Sequence, residues 1–79
     1  MPYRAAWRLI GVDHKVLSRG ELNGVHASRG EAAAEILLQL QNFDVHGRDE
    51  KADEWWARRT AEADLEMRFR IETRTATAT

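Results

Sequence analysis

Between residues 65 and 73 the chain reads LEMRFRIET, and no other stretch restricts its fold as much. Leu65, Met67, Phe69 and Ile71 alternate with Glu66, Arg68, Arg70 and Glu72. Successive side chains of a strand point to opposite faces, so this order puts every apolar group on one side and every charge on the other. A helix would scatter both sets around its circumference. The segment is therefore expected to be a half-buried antiparallel strand with one wet face.

Such a strand needs neighbours, and the N-terminal YRAAWRLIGV offers one. Tyr3, Ala5, Trp7 and Leu9 fall on one side, and Arg4, Ala6, Arg8 and Ile10 on the other. Turn chemistry follows in GVDH, where Gly11 tolerates positive φ and Asp13 can fold its side chain onto the backbone. KVLSRGEL then reads as a weaker second strand. Gly20 weakens it and suits it to a sheet edge or a bulge.

Ser28 and Glu31 form an S-x-x-E capping box at the start of a helix. The helix is expected to run through EAAAEILLQLQNF, with Ala33, Ile36, Leu37, Leu40 and Phe43 on its buried stripe and Leu38 off it. Gly47 reads as the residue just past the helix end or in the turn beyond it.

DEKADEWWARRT (49–60) admits two readings. The preferred one is a second helix over DEKADEWWARRTAEAD, capped by Asp49, with acids near its positive end and Glu54–Arg58 one turn apart. Trp55 and Trp56 would then share a broad face with Ala52, Arg59 and Ala63. The competing reading makes WWARRT a strand and AEAD a hairpin loop, which sends the two indoles to opposite faces.

These segments define an α+β fold: one domain over residues 1–73, an antiparallel sheet of about three strands, and one or two helices on one face. The expected order is β-β-α-α-β, with β-β-α-β-β as the alternative and the last strand beside the first. Tyr3, Trp7, Leu9, Val16, Ile36, Leu37, Leu40, Phe43, Trp55, Met67, Phe69 and Ile71 form the expected core. The Thr-rich end, residues 74–79, is expected to be a disordered tail.

Composition narrows the function. The chain has 79 residues, 43% hydrophobic and 32% charged, with a formal net charge of −1. That balance suits a globular domain and gives no global basic bias for nucleic acid. The absence of cysteine removes disulfides, thiolate metal sites and cysteine nucleophiles, and fits a cytoplasmic location. Arg4 and Arg8 interrupt any signal-peptide apolar region, and no run approaches a membrane span, so no membrane association is expected.

Catalytic and metal chemistry find no foothold. His14, His26 and His46 lack any paired-ligand spacing, and Ser18 and Ser28 lack a nucleophile-elbow context. No two carboxylates are set in contrasting environments, as an acid–base pair requires. No catalytic residue, metal ligand or cofactor is expected.

What remains is surface. Arg4, Arg8, Arg68, Arg70 and Arg74 are expected on the outer face of the sheet, either laced into Arg–Glu pairs or available to phosphate. No aromatic residue is expected there for base stacking. Leu38, Trp55, Trp56 and Arg59 are the candidate protein interface, since tryptophan and arginine dominate binding hot spots. The first functional expectation is thus a small non-catalytic interaction module, expected as a homodimer, with another protein as the other partner weighed. The alternative is non-specific nucleic-acid or anion binding through the arginine-lined face.

Overall fold

The computed structural model of the protein describes residues 2–22, 24–60 and 62–73. It comprises β1 (Tyr3–Ile10), β2 (Val16–Glu21), α1 (Arg29–Leu40), β3 (Val45–Asp49), β4 (Glu54–Arg58) and β5 (Glu66–Thr73). All five strands form one antiparallel sheet in the order β2-β1-β5-β4-β3, with α1 on one face. The fold is α+β, with two more strands and one fewer helix than the preferred sequence reading.

β1 and β5 pair along their whole length, from Tyr3 opposite Thr73 to Ile10 opposite Glu66. Directly opposed residues share a face, so their two alternating patterns reinforce each other. Ala5, Trp7, Leu9, Met67, Phe69 and Ile71 face the helix; Arg4, Arg8, Arg68 and Arg70 face away.

β2 lies at the edge of the sheet and carries a register shift opposite Leu9 and Ile10. Both features match its glycine-weakened sequence. In the turn before it, Asp13 accepts from the Lys15 amide at 3.2 Å. The left-handed residue there is His14, at φ 65°, rather than Gly11.

The second helix expected over residues 49–64 does not form. β3 and β4 occupy this stretch as a hairpin, closed by a turn in which Asp49 accepts from the Ala52 amide at 3.2 Å and Asp53 takes φ 56°. Asp49 ends a strand instead of capping a helix, and Gly47 lies inside β3 instead of beyond a helix end. The reason is the free edge of β5. Helix propensity in DEKADE is worth tenths of a kcal/mol per residue, whereas a hairpin against β5 satisfies a ladder of backbone groups and buries Ala57.

Helix α1 begins as its sequence implies. Ser28 Oγ accepts from the Glu31 amide at 3.2 Å, and Glu31 reaches back to the Ala27 amide at 3.1 Å. Its buried row is Ala32, Ile36 and Leu40, while Leu37 is 51% exposed and Leu38 58%. The expected stripe was rotated too far, because one sheet beneath a helix covers little more than an i, i+4, i+8 row. Val16, also expected in the core, lies exposed on β2.

Alanines take much of the space expected to go to larger residues. Ala5, Ile36, Leu40, Ala57 and Phe69 form the buried cluster, with Trp7 and Trp55 packed against it. Trp7, Phe69 and Trp55 stand side by side on adjacent strands. The small Ala5 and Ala57 let the helix approach the sheet closely, and Phe43 closes the end of the core edge-on against Phe69, with centroids 6.5 Å apart.

Candidate functional site

Two surfaces remain once this core is filled: the outer face of the sheet, and the end of the inner face beyond the helix.

On the outer face, register brings arginines into a row. Arg19, Arg8 and Arg68 stand opposite one another on β2, β1 and β5, and the row continues through Trp56 to Gly47. Like charges directly opposed are unfavourable, so the row needs acids around it. Glu54 supplies the central one. It is only 7% exposed although it sits on an open sheet face, because Arg8 and Arg68 both reach across it.

Arg68 is the hub. It contacts Asp49 at 2.8 Å, Glu66 at 2.7 Å and Glu54 at 3.4 Å. Partial burial disfavours its charge, but the bonds to Asp49 and Glu66 outweigh that and raise its pKa. The hydrogen bond from Arg68 holds the Asp49 carboxyl below its ordinary range. Burial pushes Glu66 up, yet bonds from Arg68 and Arg58 bring it below its ordinary value. The other two predicted anion-binding arginines are also engaged: Arg4 with Glu21 at 3.0 Å, and Arg70 with Glu72 at 2.7 Å. All four of Arg4, Arg8, Arg68 and Arg70 thus share this face, and each touches a carboxylate. Arg74 lies outside the described residues.

The predicted protein-interface residues do not gather into one patch. Trp55 faces the helix side, with the Arg48 guanidinium 4.2 Å from its ring centroid. Arg48 is tied in turn to Asp53, which also binds Arg29 at the start of the helix. Bonds from Arg48 and then Arg29 hold the Asp53 carboxyl low. Trp56 faces the opposite way, over Gly47, and so brings an aromatic ring onto a face where the sequence suggested none. Leu38 projects from the helix, and Arg59 lies just past β4.

The second surface was not legible as a site. A helix of 12 residues covers about 18 Å, whereas the eight-residue strands β1 and β5 span about 26 Å. The shortfall leaves the Leu9–Met67 end of the inner face without a helix above it. An open groove of about 640 Å³ lies there, walled by Leu9, Phe43, Leu65 and Met67, with Arg59 and Asp64 among its polar neighbours. Leu65 is 45% exposed. Comparing helix and strand lengths in the sequence would have flagged that one end of the sheet lies bare.

Among the described residues no group of three or more His, Asp or Glu side chains is arranged to hold a metal ion, and no helix is long and apolar enough to cross a membrane. No family model, curated protein or solved structure matches this chain.

Proposed function

We propose that the domain is a small non-catalytic interaction module that pairs with a second copy of itself through the open apolar end of its helix-bearing face. The observation that carries this reading is the uncovered groove of Leu9, Phe43, Leu65 and Met67. In so small a domain, apolar surface left beyond the helix is a costly feature unless something covers it. A second copy suits the groove for two reasons. Leu65 stands half out of the wall as a knob for an opposing groove. Arg59 and Asp64 carry opposite charges, so a two-fold arrangement sets each against its complement on the other copy. The cytoplasm, with neither cofactor nor metal, is the setting this reading assumes.

Sedimentation velocity of the protein and its Leu65→Glu variant tests the proposal. A dimer that becomes monomeric on this substitution supports it. A parent that stays monomeric at the highest attainable concentration removes self-association.

One observation favours a second reading, nucleic-acid binding across the outer face: Trp56 stands in the same row as Arg68 and Arg8. Sheet-based readers of single strands combine aromatic stacking with backbone contacts. Fluorescence anisotropy of a labelled single-stranded oligonucleotide, titrated at low and then moderate salt, decides it. Binding lost in Trp56→Ala and weakened by salt supports this reading, and no binding at low salt ends it.

A further inference from the structure

The outer face contains one position where the arginine row has a floor. Ala6 is the only small side chain on the outer side of β1, and it is 8% exposed although no helix covers that face. Long neighbours cover it. Arg4 and Arg8 flank it along β1, Glu21 and Arg70 stand opposite it on β2 and β5, and Arg19 and Glu72 lie diagonally. A depression of about 320 Å³ opens above it, walled by Arg8, Arg19, Arg70, Glu21 and Glu72.

The charge around this depression does not balance. Three guanidiniums (Arg8, Arg19 and Arg70) meet two carboxylates (Glu21 and Glu72) in its wall, which leaves 3 − 2 = +1 before Arg8's share of Glu54. Arg19 is directly opposite Arg8, and among the described residues no carboxylate engages it. Two opposed arginines, one unneutralised, above an alanine floor form an arrangement that an oxyanion completes. Guanidinium forks match the paired oxygens of a phosphate group, and its negative charge meets the one guanidinium in the wall that no described carboxylate neutralises.

We infer that the depression over Ala6, walled by Arg8, Arg19 and Arg70, is a binding site for a compact phosphate group, either inorganic phosphate or the terminal phosphate of a small molecule. It is independent of self-association, which uses the opposite face. It narrows the second reading to a discrete pocket that excludes Arg68, whose donors are already spread over three carboxylates.

The test is a two-dimensional amide NMR titration at low ionic strength with inorganic phosphate, then pyrophosphate, against a sodium chloride control. Saturable shifts centred on Ala6, Arg8, Arg19 and Arg70 are expected. Arg19→Gln, an exposed change outside the core, should weaken binding about tenfold, while Lys51→Gln in the remote β3–β4 turn should leave it unchanged. Ala6→Leu fills the floor without altering charge and should abolish binding. If that variant does not fold, the Arg19→Gln comparison carries the test. Shifts that fail to saturate, or an equal loss in Arg19→Gln and Lys51→Gln, overturn the inference. Binding of a single-stranded oligonucleotide without any binding of phosphate or pyrophosphate also overturns it, and leaves the extended face as the nucleic-acid surface instead.

Discussion

The indole of Trp56 covers Gly47: a Cβ placed on the glycine would stand 2.8 Å from the ring. The same relationship recurs at the far edge and on the other face, where a Cβ on Gly20 would stand 2.7 Å from Trp7. Each edge strand therefore carries a glycine roofed by a tryptophan from its inner neighbour. Glycine weakens an edge strand by lacking a side chain, and a cross-strand aromatic restores the lost contact.

Gly47→Ala should cost about 1–2 kcal/mol, because the added methyl drives the indole from its seat. Adding Trp56→Ala removes the clash, so the double variant should be more stable than the two single losses summed. Urea unfolding of all four proteins measures this coupling. Simple additivity would show that the indole does not rest on Gly47.

Glu54→Ala should destabilise the domain by about 1–3 kcal/mol, since Arg8 loses its carboxylate and Arg68 one of three. Lys15→Ala, which removes an exposed pair with Asp13 at 3.8 Å and leaves the hydrogen bond from its backbone amide to Asp13 in place, should cost less than about 0.5 kcal/mol. Equal losses in the two variants would deny Glu54 its central place.

Stability should fall in acid. Asp49, Asp53 and Glu66 all have carboxyls held below their ordinary values of 3.8, 3.8 and 4.5. A carboxyl depressed by folding contributes stability that is fully present above its unfolded value and lost as pH drops through the folded one. Thermal midpoints should thus hold steady from about pH 7 to about pH 5 and decline below about pH 4. In Asp49→Asn the decline should be shallower, and an unchanged slope would exclude the Arg68–Asp49 bond as a contributor.

Ser28→Ala should cost about 1 kcal/mol by freeing the Glu31 amide at the helix start. Ser28→Asp should restore most of it. A neutral alanine variant in chemical denaturation would mean that water replaces the cap without loss.

The central pair of strands was legible because alternation in β1 and β5 has one interpretation, and the Ser28 cap was legible because its chemistry is local. The β3–β4 hairpin was not, since DEKADEWWARR fits the helix pattern better than the strand pattern taken alone, and the partner that decides for the strand is β5. The arginines of the outer face were placed by parity alone. Arg–Glu pairing on that face was among the expectations, with Glu66 and Glu72 in view, but the part played by Glu54 and Asp49 was hidden, because both sat in a stretch assigned to a helix. The groove at Leu9 and Met67 arises from a mismatch of lengths, which no single segment displays.

Because β1 pairs with β5, Trp7 and Phe69 are direct neighbours although 62 positions separate them. The sheet has no complete middle until that long loop has closed. Isolated β1–β2 and β3–β4 hairpins hold too few contacts to persist in water. Folding should therefore wait for β5 to emerge during synthesis and then proceed in a single concerted step, at the slower rate that long-range pairing imposes. A chain halted before Phe69 would present Trp7 and Trp55 to the proteases of the cell instead of to the ring that separates them in the sheet.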